Sequence, residues 1–452
     1  MAASLSELPS NILSDILSRL SIKTLFVCRC VCKAFLDITT SNPHFNSLHA
    51  PYTTQCLAIQ FEYYSMTSIH LVDSELDTSF SVGENVELET MFQIPRFPTR
   101  HFKNYGPFVG DENRFILMNS CNGLLFFAEN SLRQRLFVCN PITREYVTML
   151  ELDKYNRHRS TMGYWFGFSP EENLYKVLRI FGTANVNGSM PWAIGFSNDE
   201  KWAQVYTVGS SSWRLLEEKP HSDYDISLKS SSAILNGTVC WLSGIFDYNE
   251  MLRFIVYFDF HTEKFGEFPA PVGFRNNYKP HSRSIGVLGG CLCVTDDSRY
   301  FDIWVMKEFG CRESWTKLFS IDMESIMGMY IQNPLRLLQI LGDGKILMIR
   351  DYNVLVKFDP ETKDFRFLEI NSRCTPDKVV VYTPTFVPLK DILMVDNLTV
   401  RNLIRSVVQE DRMQEDHRFV FPTFGSVKQE DGIRIKDSDY FGSCPWSTPI
   451  FI

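Results

Sequence analysis

A pattern that returns at intervals of about 50 residues most limits what this chain of 452 residues can fold into. A turn of small residues precedes an apolar stretch at four places: Asn122-Gly123, Asn236-Gly237, Gly289-Gly290 and Asp343-Gly344. The first interval is about twice the others, so one further turn is expected inside it. Units with such a period bury their apolar faces by packing against their neighbours, so the pattern predicts a repeat fold.

A second marker has the same period. One aromatic residue follows a polar turn in each repeat, and the residues between the two markers alternate in polarity as strands do. These aromatic residues are Trp213, Phe265, Trp315 and Phe365, with Tyr146 earlier in the chain. Three or four strands in a unit of this length are typical of a β-propeller with kelch-like blades.

The two markers predict five blades. They lie near residues 120–150, 164–218, 232–270, 284–322 and 336–370. Further strand-like residues occur at both ends of this region, at 56–64, 68–73 and 378–389. Because a ring can be closed by strands from the two ends of the chain, these segments predict a sixth blade.

The first 50 residues are predicted to form a small helical unit. Apolar residues recur at three- and four-residue spacing from Leu8 to Leu20, and Pro9 suits the first helical turn. A second stretch with helical spacing runs from Leu25 to Ile38. Since so short a unit leaves much apolar surface uncovered, that surface suits either a partner helix or the rest of the same chain.

Three cysteines in the segment CRCVCKAF raise the question of a metal site. On a helix, Cys28 and Cys32 share one face and Cys30 lies on the opposite side. A zinc site needs four thiolate or imidazole ligands that converge, and neither His44 nor His49 completes a set at the right spacing. We therefore predict that Cys28 and Cys32 are small core residues, and that the chain holds no metal or other cofactor.

Motifs in a fixed order relate the helical unit to a known family. Residues 8–9, 16–20, 23–25, 30–35 and 43–45 resemble the F-box of many plant proteins. The resemblance implies that residues 5–45 bind a Skp-type adaptor and, through it, a cullin. The adaptor-binding residues are expected to be Leu8, Pro9, Ile12, Ile16, Leu17, Leu20, Leu25, Val31, Cys32 and Phe35.

The strand-rich region resembles the plant F-box-associated domain. The motifs that carry this resemblance are SCNGLLFF (120–127), NPITREY (140–146), GFSPEENLYKV (167–177) and YTPTFVPL (382–389). It implies that the chain is the substrate receptor of an SCF-type cullin ubiquitin ligase, with a propeller that binds a protein substrate whose identity the sequence does not give. Two alternatives stay open: a kelch-like interaction scaffold without a ligase role, and a propeller enzyme that uses loop residues.

A helix is expected after the propeller, with Asp396 as its cap. Its apolar stripe consists of Val400, Leu403, Ile404, Val407 and Val408. The expected fold is therefore an α+β multidomain chain. It has a three-helix F-box (1–50), an all-β, kelch-like propeller of about six blades (51–390), a C-terminal helix (391–416) and a loosely ordered tail (417–452).

Composition and motifs exclude several classes of function. A net charge of −8 provides no basic surface for nucleic acid, and no apolar run approaches the roughly 20 residues that span a bilayer. No secretion signal is visible, so we expect a cytoplasmic or nuclear protein with reduced cysteines. No G-x-S-x-G, H-E-x-x-H or phosphate-loop motif occurs, so we predict a protein without catalytic activity.

Overall fold

The computed structural model describes residues 8–41, 43–62, 66–73, 90–95, 114–130, 135–149, 160–182, 201–220, 231–243, 254–271, 283–296, 300–322, 335–350, 354–369, 376–395 and 398–402. All of them belong to one compact unit, Met1–Phe421. Short helices come first, and antiparallel sheets follow. The predicted order of a helical unit and a propeller is therefore confirmed.

Four short helices form the helical unit (residues 8–52). They are α1 (Ser10–Ser18), α2 (Ile22–Val31), α3 (Lys33–Ser41) and α4 (Pro43–His49). The hydroxyl of Ser21 caps α2 by accepting the backbone N–H of Thr24 at 3.3 Å, as expected for an N-cap serine. No described helix is long and apolar enough to cross a membrane.

The second helical stretch differs from its prediction. Cys32 is extended, with φ −155° and ψ 158°, so α2 ends before it and α3 begins after it. The unit therefore has four short helices where three were expected, and Cys32 is not on the helix that carries Cys28. Both thiols still lie at the edge of one apolar cluster. The two thiols therefore pack against the core as predicted. They do not lie on one helix, which the prediction had assumed.

Antiparallel sheets make up the propeller, and its strands are numbered in chain order. The first three strands are β1 (Cys56–Glu62), β2 (Met66–Asp73) and β3 (Thr90–Pro95). Blade 1 contains β4 (Arg114–Cys121), β5 (Leu124–Asn130), β6 (Leu136–Asn140) and β7 (Glu145–Thr148). Blade 2 contains β8 (Ser160–Ser169), β9 (Leu174–Gly182), β10 (Lys201–Thr207) and β11 (Arg214–Leu215).

The next three blades repeat this arrangement. Blade 3 contains β12 (Ser232–Leu235), β13 (Thr238–Ser243), β14 (Phe254–Asp259) and β15 (Phe265–Pro269). Blade 4 contains β16 (Arg283–Leu288), β17 (Cys291–Asp296), β18 (Tyr300–Met306) and β19 (Trp315–Asp322). Blade 5 contains β20 (Arg336–Ile340), β21 (Ile346–Arg350), β22 (Val354–Phe358) and β23 (Phe365–Glu369).

Strands from both ends of the propeller region form blade 6. Strand β24 (Pro376–Tyr382) pairs antiparallel with β1, with Val380 opposite Ala58, and the sheet order is β24-β1-β2-β3. The prediction of a sixth blade closed in this way is confirmed. The chain therefore closes its ring by backbone hydrogen bonds between residues more than 300 positions apart.

The turns that marked the repeat join the first two strands of a blade. Asn122 and Gly123 have φ values of 47° and 79°, and Gly289 and Gly290 have 57° and 76°. Two-residue hairpins need this left-handed backbone, which Asn and Gly adopt at low cost. The further turn expected in the long interval is the one between β8 and β9, where Asn173 has φ 56°.

A second turn recurs between the third and fourth strands. In blade 3 the carboxylate of Asp259 accepts the backbone N–H groups of His261 and Thr262, both at 2.8 Å. Asn140 and Asp359 make the corresponding bonds in blades 1 and 5. Such side chains stabilise a turn by replacing backbone acceptors. The aromatic markers follow these turns because they lie at the start of the fourth strand or beside it.

Side-chain amides join neighbouring blades. Gln60 donates to the carbonyl of Phe115 at 3.0 Å and accepts from the N–H of Leu117 at 2.6 Å. Asn119 makes the same pair of bonds to the backbone of Phe166, at 2.8 and 3.1 Å. Each amide thus satisfies one donor and one acceptor on the next blade, as buried backbone groups require.

The C-terminal helix is shorter than expected and lies earlier in the chain. Helix α5 (Leu389–Leu393) follows Pro388 and ends at Met394, whose φ of 52° is left-handed. Of the residues predicted to be helical at 391–416, those at 391–393 are helical, whereas β25 (Arg401–Asn402) is a strand that pairs with β7. Arg401 and Asn402 pair with β7 at the edge of blade 1 and therefore do not form a helix. Residues 403–416 and the tail 417–452 lie outside the described residues.

Candidate functional site

Helix α1 has one buried face and one exposed face. Leu13 and Leu17 are 4% and 3% exposed and pack in the interior. Ile12 and Ile16 are 45% and 41% exposed, and Leu8, just before the helix, is 37% exposed. Residues four apart lie on one side of a helix, so Ile12 and Ile16 share the exposed face of α1, and Leu8 precedes them in the chain with the same spacing. We call Leu8, Ile12 and Ile16 the apolar row.

The structure divides the residues predicted to bind the adaptor into three groups. The exposed ones are Leu8, Pro9, Ile12, Ile16 and Val31. The half-buried ones are Leu20 and Cys32. The buried ones are Leu17, Leu25 and Phe35. A buried side chain supports the shape of the surface without touching a partner, so only the first two groups are available for contact.

Two exposed apolar residues were not predicted. Val27 is 64% exposed on α2, and Leu36 is 38% exposed on α3. Val27 lies one helical turn before Val31, which is 67% exposed. Because residues four apart share one side of a helix, the predicted exposure of Val31 could have been extended to Val27. No spacing in the sequence predicts the exposure of Leu36, because that exposure depends on how α3 packs against the other helices.

One apolar cluster includes both the helical unit and the propeller. It joins Leu13, Leu17, Leu25 and Phe45 of the helices to Ala58, Tyr146, Tyr382 and Phe386 of the propeller region. The buried face of α1 thus belongs to the same core that covers blades 1 and 6. The helical unit packs on the propeller, and its apolar row is on the side that this packing leaves open.

Phe386 is the centre of this contact. Its ring lies 5.6 Å from that of Phe26 and 6.1 Å from that of His49. The guanidinium carbon of Arg29 lies 5.0 Å from its centre, a cation–π distance. Burial, together with the nearby Arg144, lowers the pKa of Arg29 from its usual value. Two aromatic rings and one cation of the helical unit therefore pack against this one propeller residue.

The segment that carries Phe386 is fastened to the propeller by hydrogen bonds. We call residues 383–388 the connector segment. Asn140 donates to the carbonyls of Thr385 and Val387 at 3.1 and 2.9 Å. The hydroxyl of Tyr382 donates to the carbonyl of Gly123 at 3.1 Å. These bonds connect three of the four motifs of the strand-rich region, at 120–127, 140–146 and 382–389. Together the three motifs form the surface on which the helical unit packs.

The ring encloses a central channel of about 1260 Å³. Its wall is formed mainly by the innermost strands of the blades and the turns that follow them. Asn46 and His49 of α4 also line it, together with the connector segment. The helical unit therefore borders the channel at one end.

Among the described residues, no three His, Cys, Asp or Glu side chains come together so as to hold a metal ion. Burial raises the pKa of the thiols of Cys139, Cys240 and Cys293 far above the usual range for cysteine. These thiols stay protonated at neutral pH and are poor nucleophiles.

Comparisons with known proteins agree with this architecture. Residues 5–46 match the F-box domain, and residues 57–389 match the F-box associated beta propeller domain. Similar proteins of Arabidopsis thaliana include F-box protein At3g07870, 28% identical over 80% of this chain and 88% of the relative. F-box protein CPR1 is 26% identical over 81% and 85%, and F-box/kelch-repeat protein At3g23880 is 22% identical over 85% and 96%. The chain therefore belongs to the F-box proteins with an F-box-associated β-propeller domain.

Proposed function

We propose that this protein is the substrate-recognition subunit of an SCF-type cullin ubiquitin ligase. Its F-box binds a Skp-type adaptor and, through it, a cullin, while the propeller holds a protein substrate. F-box proteins generally act as substrate adaptors rather than enzymes. The single observation that carries the proposal is the apolar row, because the F-box core leaves these three large side chains in water.

The energetics of the apolar row favour a partner. Fully burying a Leu or Ile side chain gains about 1.5–3 kcal/mol relative to leaving it exposed. Each member of the row is close to 40% exposed, so covering it gains on the order of 1 kcal/mol per residue. Val31 and Val27 add apolar surface on α2. This gain is modest, so an adaptor must also contribute polar contacts at the rim.

The chemistry of such a receptor is proximity. The receptor forms no covalent bond itself; it holds a substrate lysine close to a ubiquitin thioester on another subunit. Tethering turns an encounter between separate molecules into one at an effective concentration in the millimolar range. A rigid seat for the F-box serves this role, because it limits the distances that the substrate can sample. The same role leads us to propose a cytoplasmic or nuclear location.

A substitution in the apolar row tests the proposal. In the double variant Ile12→Asp/Ile16→Asp, two carboxylates replace apolar contact, so we expect binding to a purified Skp-type adaptor to fall at least 100-fold. The matched control is Asp15→Ala on the same helix, whose ion pair with Arg19 is exposed and contributes little. Calorimetric titration measures affinity, and a thermal melt checks that each variant is folded.

Point variants are preferable to removing the F-box. Deleting residues 1–50 uncovers Tyr382 and Phe386, which are 0% and 2% exposed in the intact chain, so the propeller alone is not a clean control. If the folded double variant binds the adaptor as tightly as wild type, the apolar row is not the adaptor site. If wild type binds no adaptor at all, the interaction scaffold without a ligase role becomes the better account.

A further inference from the structure

We propose that His49 is a positioning residue, which fixes the angle of helix α1, and with it the bound adaptor, relative to the propeller. The inference rests on the proposed function, because this angle matters to a ligase only if an adaptor binds the apolar row. It identifies one side chain that determines where the rest of the ligase lies with respect to the substrate.

The carboxyl end of α1 is capped by a residue of another helix. The last four carbonyl groups of a helix have no partner among its own N–H groups of the regular pattern. Three of those of α1, at residues 15–17, accept hydrogen bonds from residues 18–20. The fourth, the carbonyl of Ser18, lies 2.7 Å from Nδ1 of His49, the last residue of α4. A carbonyl only accepts, so Nδ1 carries the proton and donates it to this bond.

The ring of His49 makes the connection to the propeller. It stacks on Phe45 of α4, with the ring centres 5.8 Å apart and an angle of 14° between the planes. It also lies 6.1 Å from the ring of Phe386, in the connector segment that Asn140 fastens to blade 1. His49 is 3% exposed, so its ring is enclosed. One side chain therefore contacts the adaptor-binding helix through a nitrogen and the propeller through its ring.

The hydrogen bond restricts α1 in a way that the apolar core does not. Leu13 and Leu17 bury the helix in the shared core, but apolar burial is non-directional, so it resists separation more than rotation. A hydrogen bond, in contrast, weakens steeply as its angle departs from linearity. Ser18 lies two residues after Ile16, so this bond restricts the helix close to the apolar row. It thereby fixes the direction in which the row faces.

The other ring nitrogen of His49 argues against a role in packing alone. In the neutral ring Nε2 is an acceptor, and this enclosed atom has no partner among the described residues. An enclosed acceptor without a donor costs free energy. Phenylalanine would stack on Phe45 without that cost, so packing does not explain a histidine here. The bond from Nδ1 to Ser18 is the contact that phenylalanine cannot make.

Two variants separate the bond from the ring. His49→Phe keeps a stacked ring and removes the donor. His49→Asn removes the ring but places an amide nitrogen close to the position of Nδ1, so it still donates to Ser18. Asn46→Ala is the matched control, because Asn46 lies on the same helix and lines the channel as His49 does. Thermal melts show that each variant is folded at the temperature of measurement. Should His49→Asn not fold, His49→Gln takes its place.

The angle of α1 is measured first in the free chain. Nitroxide labels are introduced as unnatural amino acids at Asp15 on α1 and at Glu361 on blade 5, both exposed, because the chain already has 12 cysteines. Double electron–electron resonance gives the distribution of distances between the labels. We expect a narrow distribution in wild type, Asn46→Ala and His49→Asn, and one at least twice as wide in His49→Phe. Equal distributions in His49→Phe and wild type would overturn the proposal.

The consequence for the ligase is measured at saturating adaptor. The complete ligase is assembled from purified subunits, and the probe is the set of surface lysines of the receptor itself, in which mass spectrometry locates the attached ubiquitin. A less restricted helix lets ubiquitin reach more lysines. In His49→Phe the share of modification at the most modified lysine should therefore fall at least twofold, while adaptor affinity stays within twofold of wild type.

The asparagine variant distinguishes positioning from packing. His49→Asn should restore the wild-type pattern of modified lysines, because it keeps the bond to Ser18. A purely structural role predicts the opposite order, since asparagine loses more packing than phenylalanine does. A His49→Asn pattern further from wild type than that of His49→Phe would overturn the proposal, as would a wild-type pattern in His49→Phe.

Failure of the proposed function gives a different result. A wild-type chain that binds no adaptor contradicts the ligase role, while the label distances in the free chain still show whether His49 fixes α1. A chain that binds the adaptor, but whose His49→Phe variant keeps the wild-type label distances, retains the ligase role and contradicts this inference.

Discussion

The rings of Phe386 and Phe26 lie 5.6 Å apart at an angle of 59°, and this pair joins the propeller to helix α2. Phe386 is 2% exposed, so its ring is enclosed by the residues of both parts. The F-box and the propeller therefore share a core, and a change at this one ring should be felt in both.

Replacing Phe386 with alanine should destabilise the chain by about 3–5 kcal/mol, the usual cost of removing a buried phenylalanine. Urea unfolding measures the loss, and hydrogen exchange should show faster exchange of amides in α2. The matched control is Phe309→Ala, whose ring is 39% exposed, with an expected cost of about 1 kcal/mol. Equal losses in both variants would mean that Phe386 does not hold the F-box in place.

Neighbouring residues of α1 should respond differently to the same substitution. Ile16→Asp places a charge on the surface and should leave the melting temperature close to that of wild type. Leu17→Asp buries a carboxylate in the shared core and should unfold the F-box. Circular dichroism melts of the two variants provide the comparison. A strongly destabilised Ile16→Asp would show that the apolar row is part of the core.

The connector segment restricts Gly123, whereas Gly290 lies in open space. A Cβ at Gly123 would lie 2.2 Å from the Cγ2 of Thr385, and its φ of 79° is already unfavourable for other residues. Gly290 has a similar φ of 76°, but nothing lies within 4 Å of its Cβ position. We expect Gly290→Ala to cost about 1 kcal/mol and Gly123→Ala about 3 kcal/mol or more.

Chemical denaturation of both glycine variants measures this difference. Because the two share the backbone penalty, the difference between them reports the close approach of the connector segment, through Thr385 and the carbonyl oxygen of Thr383. Similar costs for the two variants would mean that the connector segment moves aside at little cost.

A buried lysine links blade 2 to blade 3. The Nζ of Lys176 donates to the carbonyl of Phe260 at 2.8 Å and to Glu263 at 2.9 Å, and it also pairs with Glu172. Lys176→Met removes these bonds and should cost about 2–3 kcal/mol, less than a fully buried pair because the carboxylates are partly in water. Lys264→Met, at an exposed neighbouring position, is the control and should cost almost nothing.

The same lysine should make the stability of the fold depend on pH. Its hydrogen bond lowers the pKa of Glu172 below the usual value for glutamate. A carboxyl group with a lowered folded-state pKa stabilises the fold above its unfolded pKa, about 4.3, and this contribution disappears as the pH falls through the lower value. Denaturation between pH 6 and about 3 should therefore show a shallower loss of stability in Lys176→Met than in wild type. An identical slope would contradict the pairing.

The cysteines should fall into two classes of reactivity. Cys30 is exposed, whereas Cys139, Cys240 and Cys293 are buried with raised pKa values and little thiolate. A thiol reagent added to the native protein at pH 8 should modify Cys30 quickly, and Cys30→Ser should remove one equivalent from the fast phase. The three buried thiols should react only after unfolding. Fast modification of Cys240 in the native state would contradict its burial.

Local chemistry explains which parts of the fold were predictable. The hairpins at Asn122 and Gly289 were visible because a left-handed turn restricts the residue types that can occupy it. The aromatic markers were visible because the fourth strand of each of blades 3, 4 and 5 begins with an aromatic residue after a polar turn. Both are repeated in the chain, so five blades followed from spacing, and the sixth followed from the strand-like segments at the two ends of the region.

The parts that were not predictable depend on contacts between distant residues. The break at Cys32 is one extended residue between two helices, and nothing in its neighbours requires it. The stripe from Val400 to Val408 has helical spacing, but Arg401 pairs with Tyr146 instead. For the site, spacing identified the apolar row, whereas the contact between the F-box and the connector segment arises only when the ring is assembled.

The pairing of β24 with β1 orders events during synthesis. Strand β1 is made about 320 residues before its partner, which at 5–20 residues per second is on the order of half a minute. Until then the ring is open and the edge of β1 is unpaired, a state that invites association with other chains. A nascent chain of this kind needs protection until Tyr382 has been added. A messenger truncated before that codon would direct the synthesis of a protein with an F-box and no closed ring.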